Sequence, residues 1–433
     1  MLKLLYFFLK WLVRVCVRIY YPDTRVLNRD RLRLTGPTLL VSNHPNTLLD
    51  PLHVVARANR MVYFLANAGV FKYAFTNWLF TLLWCIPIKR SSDDTGRQVI
   101  SNEDSFEKSY AHLRQGGNIF IAPEGGSMTL RRLHELRTGT ARIGLGAEAG
   151  KGFELGVTIL PVGLNYTRAR RCGEGLVMEV GRPIRVADWR KAYEQDPVQA
   201  ARDLTDALEA ALRSLVYLHC DDDDQDRFLH RLEELAHHDQ RLTAPASLER
   251  SRALLERLQT MQQQQPEAYA ALWRQLDVYY QRFRAVGLTD QGIAARNLGL
   301  WSPMVWIGAL PAAYGWLNHL AAYQIPRYIW CRLQLYPTYA STVKVMAGLI
   351  FFPLGYGLQY TLAGLLLDGY GPLWYLLSLP LSGWVAWQYG RWAGPRWAGW
   401  RYRRWRRSHA AEARALETMR TQIMSRAQGM SYL

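Results

Sequence analysis

The feature that most constrains the fold is the alternation of strand-like and helical runs between residues 22 and 187. Apolar, strand-like runs lie near 37–42, 61–65, 86–89, 118–122, 156–162 and 176–181, and helical runs lie near 47–57, 72–83, 103–115 and 138–149. Such alternation is typical of domains in which helices cover a largely parallel sheet. We therefore predict an α/β sandwich for this part of the chain.

A histidine and a carboxylate follow the first of these strands. His44 comes directly after the apolar run, and Asp50 lies about one helical turn further on, with Asn43 and Asn46 beside them. A histidine placed at a strand end, with a carboxylate to orient it, is the arrangement that a general base requires. The pair favours acyl transfer to a hydroxyl group. The less specific alternative is that His44 caps a loop and Asp50 is a surface residue.

Three further blocks of the chain also lie where an apolar strand passes into a loop. They occupy residues 86–90, 119–127 and 159–166. In α/β sheets, functional groups gather where strands end. Four such junctions in order along the chain favour a functional site over a chance pairing of His44 with Asp50.

These four blocks resemble the glycerolipid acyltransferase family of the PlsC type. That family has His-x4-Asp, a strand ending in Arg, Pro-Glu-Gly, and a strand with Pro, and the resemblance covers roughly residues 25–187. Five residues separate His44 from Asp50 where most of the family has four, a spacing that resembles fungal-type glycerol-3-phosphate acyltransferases and their bacterial relatives. Two positions depart from the pattern: Ala122 replaces the usual Phe, and Met128 stands where that branch usually has His.

The resemblance implies a role for each residue of the blocks. His44 is the base that takes the proton of the attacking alcohol, and Asp50 accepts a hydrogen bond from its other ring nitrogen. The implied substrate-binding residues are Lys89, Arg90, Glu124, Gly125, Gly126, Ser127 and Pro161. An arginine fork suits a phosphate group. Glu124 is expected to contact the acceptor, the amides of Gly126 and Ser127 to face an anion, and Pro161 to shape the wall.

The charge and composition favour a membrane as the partner. The net charge is +17, which suits either nucleic acid or an anionic membrane surface. Of the 16 tryptophans, 11 follow residue 300, interleaved with apolar runs and arginine, as in interfacial belts, so we expect no nucleic-acid partner. The five cysteines form no CxxC pair, and we expect no metal and no cofactor apart from the acyl donor.

The remaining segments are predicted to be helical. We predict a cationic membrane-interface helix at residues 1–21, because Lys3, Lys10, Arg14 and Arg18 fall within an arc of about 80°. A polar helical insertion is predicted at 188–296, with helices at 197–218, 223–237, 247–264 and 267–284, and no chemistry is assigned to it. Residues 409–433 are expected to form a tail.

Residues 297–408 are predicted to be membrane-associated. Residues 345–367 and 372–390 are uncharged runs of 23 and 19 residues, each sufficient to cross a bilayer as a helix. Lysine and arginine flank the two runs and are absent from the link at 368–371, which predicts a transmembrane hairpin with cytoplasmic ends. Residues 301–325 contain prolines, and we expect an interfacial or re-entrant helix pair there. A basic, aromatic anchor follows at 392–407.

The predicted function is O-acylation of glycerol-3-phosphate or 1-acylglycerol-3-phosphate in phospholipid biosynthesis, with acyl-CoA or acyl carrier protein as the donor. We expect the catalytic domain on the cytoplasmic face of a membrane, the bacterial inner membrane. Two alternatives remain open from the sequence. One is transfer to another membrane lipid acceptor, such as an aminolipid, and the other is an inactive lipid-binding scaffold, for which Ala122 and Met128 are the support.

Overall fold

The computed structural model describes residues 2–88, 102–237, 242–300 and 303–428. The chain forms two compact units. Unit 1 consists of Met1–Cys220, Thr243–Leu248 and Tyr336–Thr342, and unit 2 consists of Asp221–Leu242, Glu249–Leu335 and Val343–Leu433.

Unit 1 is built around an eight-stranded sheet. Its strands are β1 (Asp23–Leu27), β2 (Thr38–Ser42), β3 (Tyr63–Asn67), β4 (Cys85–Ile88), β5 (Asn118–Ile121), β6 (Thr158–Tyr166), β7 (Gly175–Val180) and β8 (Ile184–Arg185). The spatial order is β1-β7-β6-β2-β5-β3-β4, and β8 pairs with β6. The five strands from β6 to β4 are parallel, whereas β7 and β8 pair with β6 in antiparallel register. The predicted mainly parallel α/β fold is confirmed.

Helices cover this sheet. Those of unit 1 are α1 (Leu2–Tyr20), α2 (Leu49–Arg57), α3 (Ala74–Leu82), α4 (Asn102–Arg114), α5 (Gly139–Ala149), α6 (Arg190–Gln195) and α7 (Pro197–Leu215). Leu39 and Val41 of β2 share one apolar core with residues of α4, α5 and α7, while α2 packs on β2 and β5. Because all five residues of β2 are buried, the loop that follows this strand starts from a rigid position.

Two positive side chains of the first helix contact the protein. Lys10 is buried, and its Nζ donates to the carbonyls of Ala58 at 2.7 Å and Arg60 at 3.1 Å. Arg14 Nε donates to the carbonyl of Ala56 at 2.5 Å. Carbonyls at the end of α2 attract cations because they carry the negative end of the helix dipole. Apolar side chains of α1 are exposed, and the predicted membrane-interface helix stays a prediction.

Unit 2 is helical. Its helices are α8 (Asp223–His237), most of α9 (Ala244–Gln264), α10 (Pro266–Ala285), α11 (Asp290–Ala294), α12 (Pro303–Leu333), most of α13 (Ala340–Gly364), α14 (Gly371–Ser408) and α15 (Ala410–Gln428). Helix α12 runs unbroken through Pro311 and Pro326, so the predicted helix pair near 301–325 is wrong. Within the described residues, one helical stretch, Pro337–Gly364, is long and apolar enough to cross a membrane. The second predicted span lies in the first half of α14, which continues through the arginine-rich segment, and the hairpin stays a prediction.

Candidate active site

Three of the four predicted blocks meet at one edge of the sheet. Val41 of β2 lies level with Ile121 of β5 and Pro161 of β6, so the loops after β2 and β5 leave the sheet side by side. The remaining block, residues 86–90, lies at the end of β4, and its Lys89 and Arg90 lie outside the described residues. The carboxyl ends of parallel strands thus bring together side chains that are far apart in sequence.

His44 and Asp50 form a close pair at this edge. Nδ1 of His44 lies 3.1 Å from Oδ2 of Asp50, with the histidine side chain 13% exposed and the aspartate fully buried. The pair is not aligned as a linear hydrogen bond. Catalytic hydrogen bonds often become linear only in the complex with substrate. The geometry leaves Nε2 of His44 as the nitrogen that can accept a proton.

Two donors hold the Asp50 carboxylate in place. Oδ2 accepts a hydrogen bond from the Asn46 N–H at 2.7 Å, and Oδ1 accepts one from the Tyr166 hydroxyl at 2.7 Å. Burial, together with the charge of Asp50, raises the pKa of Tyr166 well above its ordinary value, so the hydroxyl keeps its proton and donates. Asp50 is therefore held in one orientation toward His44.

Glu124 positions the histidine loop. Its Oε1 accepts from the backbone N–H of His44 at 2.8 Å, and its Oε2 accepts from the N–H of His134 at 3.1 Å. Burial raises the pKa of Glu124 from 4.5 to about 7, against the lowering effect of these two hydrogen bonds and of His44. In this structure Glu124 thus joins the loops after β2 and β5, and its predicted contact with an acceptor stays a prediction.

The glycine turn after Glu124 is open on one side. Gly125 has a φ of +72°, a conformation that favours glycine, and a Cβ added to Gly126 would meet nothing within 4 Å. Ser127 Oγ accepts a hydrogen bond from the Thr47 N–H at 3.1 Å. The serine side chain therefore supports the histidine loop, and the open turn beside it leaves room for a substrate. Pro161 lies within β6, one residue before the position level with Ser42.

Residues outside the predicted set complete the loop. The Asn43 side chain donates to the Leu164 carbonyl at 3.0 Å and accepts from the Leu164 N–H at 2.7 Å, which joins the loop to β6. Asn46 Nδ2 donates to the Tyr21 hydroxyl at 2.6 Å. No local signal in the sequence marked Tyr21, whereas Tyr166 was recognisable as the last residue of a predicted strand block.

The site offers a base, an orienting carboxylate and an open turn. Among residues 2–88, 102–237, 242–300 and 303–428, no group of three or more His, Cys, Asp or Glu residues is arranged to hold a metal ion. The chemistry that the described groups can perform is proton removal from a hydroxyl by the imidazole of His44.

The raised pKa of Glu124 predicts a pH-dependent stability. The folded protein holds this proton more tightly than the unfolded chain, so the stabilisation is complete below the unfolded pKa of 4.5 and is lost as pH rises toward about 7. Relative to Glu124→Gln, which has no titrating group there, the wild type should lose about 3 kcal/mol of unfolding free energy across this interval. Urea denaturation of both proteins at pH values from about 5 to 8 measures the difference. Parallel curves would contradict the raised pKa.

Comparisons with known proteins point to one family. Residues 23–165 match the family model described as Acyltransferase. Glycerol-3-phosphate O-acyltransferase 2 of Saccharomyces cerevisiae is 29% identical over 119 residues, 27% of this chain and 16% of the relative. Glycerol-3-phosphate O-acyltransferase 1 of the same yeast is 30% identical over 113 residues, 25% of this chain and 15% of the relative. The chain therefore matches about a sixth of the length of these relatives.

A solved structure is also similar over part of the chain. It is the 1-acyl-sn-glycerophosphate acyltransferase PlsC from Thermotoga maritima, at 15% sequence identity and a TM-score of 0.34. The alignment covers 47% of this chain and 74% of that chain.

Proposed function

We propose that this protein, in which residues 23–165 match the Acyltransferase family model, transfers a fatty acyl group from a thioester to a hydroxyl of glycerol-3-phosphate or 1-acylglycerol-3-phosphate. The observation that carries the proposal is the 3.1 Å pair of His44 with a fully buried Asp50 at the carboxyl edge of the parallel strands. The five-residue spacing between them favours glycerol-3-phosphate as the acceptor.

In the proposed reaction, Nε2 of His44 takes the proton of the acceptor hydroxyl as its oxygen attacks the thioester carbonyl. The carbon–oxygen bond forms, the carbon–sulfur bond breaks, and the leaving thiolate receives the proton from Nε2 of His44. Asp50 keeps the imidazole in the tautomer with hydrogen on Nδ1. The donor is acyl-CoA or acyl carrier protein, and the chemistry requires no covalent enzyme intermediate.

The acceptor phosphate needs fixed cations, and Arg90 with Lys89 is our proposal for them. The observation that supports this assignment is their position in the sequence directly after Ile88, the last residue of β4. Because β4 is parallel to β3 and β3 to β5, its carboxyl end lies on the same edge of the sheet as the loops of His44 and Glu124. Arginine binds phosphate through two parallel hydrogen bonds.

A membrane site is the last part of the proposal. The support is the apolar stretch Pro337–Gly364 and the exposed apolar side chains of α1. We propose that residues 345–367 and 372–390 form a transmembrane hairpin and that the catalytic domain faces the cytoplasm, as the distribution of lysine and arginine favours.

An acyl-transfer assay with the purified full chain tests the proposal. Labelled acyl-CoA and acyl carrier protein are each offered with glycerol-3-phosphate, with 1-acylglycerol-3-phosphate and with an aminolipid. We expect acylation of a glycerol phosphate, faster with glycerol-3-phosphate, and a rate lower by about 10²–10⁴-fold with His44→Ala. If the aminolipid alone is acylated, the proposed glycerol phosphate acceptor is wrong. If the protein binds lipid but consumes no thioester, it is a lipid-binding scaffold and not an enzyme.

A further inference from the structure

A cavity in unit 1 gathers five arginines. Its volume is about 630 Å³. The arginines that line it come from α1, β1, the turn Arg29–Leu32 and the last residue of α2, and they are Arg14, Arg18, Arg25, Arg29 and Arg57. Asp50 and Arg57 are seven residues apart on α2, a rise of about 10 Å along the helix. This arginine cavity therefore lies apart from the His44–Asp50 pair.

The positive charge of the arginine cavity is not balanced by the protein. Of the ten residues that line it, Asp23 is the one acid, and its carboxylate lies 3.4 Å from Arg25 Nε. Arg18 and Arg29 make no hydrogen bond or ion pair with any residue in the described part of the chain. Like charges gathered around one cavity repel each other, and an anion bound among them relieves that repulsion.

Two arginines of the cavity are held by backbone contacts. Arg14 Nε donates to the Ala56 carbonyl at 2.5 Å, and Arg57 Nη1 donates to the His53 carbonyl at 2.9 Å. Burial, with smaller contributions from the charges of Arg29 and Arg14, lowers the pKa of Arg57 to about 10, so these cations lie within electrostatic reach of one another. The arginine cavity therefore has two cations held in place, Arg14 and Arg57, and two unpaired cations, Arg18 and Arg29. This arrangement can bind an anion.

The surface beside the cavity is apolar. Leu4, Phe8, Trp11, Val15 and Ile19 of α1 are all exposed. At 100° per residue they occupy an arc of about 80°, and Arg18 lies about 20° from Trp11 at the edge of that arc. A lipid whose chains contact this apolar face would therefore bring its headgroup to the arginine side of the helix.

We propose that the arginine cavity binds the phosphate group of a phosphate ester, at a site separate from the catalytic pair. Planar guanidinium groups match phosphate oxygens through paired hydrogen bonds. The two possible sources of this phosphate are the headgroup of an anionic phospholipid and a soluble phosphate ester. The apolar face of α1 favours the headgroup. The proposal does not depend on the proposed acyl transfer.

The test is direct binding to the full chain in neutral detergent, by calorimetry. The ligands are dioctanoylphosphatidylglycerol, the phosphate-free dioctanoylglycerol, and adenosine 3′,5′-bisphosphate as the soluble ester. The variant Arg18→Gln/Arg29→Gln removes the two unpaired cations. Arg190→Gln/Arg213→Gln is the matched control, because it removes the same charge from two exposed arginines, which pair with Glu194 and Glu209.

We expect the cavity variant to bind phosphatidylglycerol about tenfold more weakly than wild type, with the control unchanged and dioctanoylglycerol insensitive to either variant. A loss confined to adenosine 3′,5′-bisphosphate would support the phosphate site and assign it to a soluble ligand. Equal affinities of wild type, cavity variant and control for both phosphate ligands would overturn the proposal. We expect the thermal midpoint of the cavity variant to be at or above that of wild type, because the variant relieves repulsion between the arginines. In that case misfolding does not explain a loss of binding.

Discussion

Replacing His44 with alanine should reduce acyl transfer by about 10²–10⁴-fold while leaving the protein folded. The ring is the base of the proposed reaction, and water cannot replace it at neutral pH. The fold should persist because the carboxylate of Asp50 keeps its hydrogen bonds from Asn46 and Tyr166. The contact with Glu124 also survives, since it is made by the backbone N–H of residue 44 and not by the ring.

Initial rates of thiol release, measured for wild type and variant with the same acceptor, check this expectation. His230→Ala provides the control, because it removes a half-exposed histidine from α8 that lies 3.7 Å from Glu233 and outside the site. That variant should keep the wild-type rate, and all three proteins should share one thermal midpoint within a few degrees. If His44→Ala turns over at the wild-type rate, the imidazole is not the base.

The position of the site could be predicted from the sequence because each functional block follows an apolar strand. A parallel sheet brings such strand ends to one edge, so His44, Asp50 and Glu124 were expected close together, and the structure places them so. Their chemical roles stay predictions. The contact between Tyr166 and Asp50 could not be predicted from the sequence. It joins positions 116 residues apart and depends on the exact register of β6 with β2.

The orientation of α1 could not be read from its pattern. A helical wheel shows that the lysines and arginines of α1 share one side of the helix, but it does not show which groups that side contacts. The carbonyls of Ala56, Ala58 and Arg60 provide acceptors for Lys10 and Arg14, and this contact decides the orientation. Strand β1 was missed for a related reason, since its charged, partly exposed residues lack the apolar alternation of a strand.

The prolines of residues 301–325 were misleading in the same way. A proline removes one helix hydrogen bond and crowds the preceding turn, which predicts a break near Pro311. Helix α12 nevertheless continues past Pro311, and also past Pro326, and it packs on α14. Tertiary packing can outweigh the local cost of a proline, and a sequence pattern carries no information about that packing.

Asp50→Asn should lower kcat by about 10²–10⁴-fold with little change in KM. Asparagine has nearly the same shape, and its amide can point toward Tyr166, whose hydroxyl is able to accept instead of donate. The remaining oxygen can still accept from the Asn46 N–H, so the loop should stay in place. What is lost is the negative charge beside Nδ1 of His44, which stabilises the imidazolium as the base takes a proton. Because Asp50 is fully buried, substrate binding should change little.

The double variant His44→Ala/Asp50→Asn separates an orienting role from a merely structural one. If Asp50 acts through the imidazole, the double variant should be no slower than His44→Ala. Once the imidazole is absent, loss of the carboxylate that orients it causes no further decrease in rate. Tyr166→Phe is the matched control for structure, because it removes one hydrogen bond to the buried Asp50 carboxylate but keeps the charge. We expect it to lose about 2 kcal/mol of stability and far less activity than Asp50→Asn. Losses that multiply in the double variant would show that the carboxylate supports the fold and not the base.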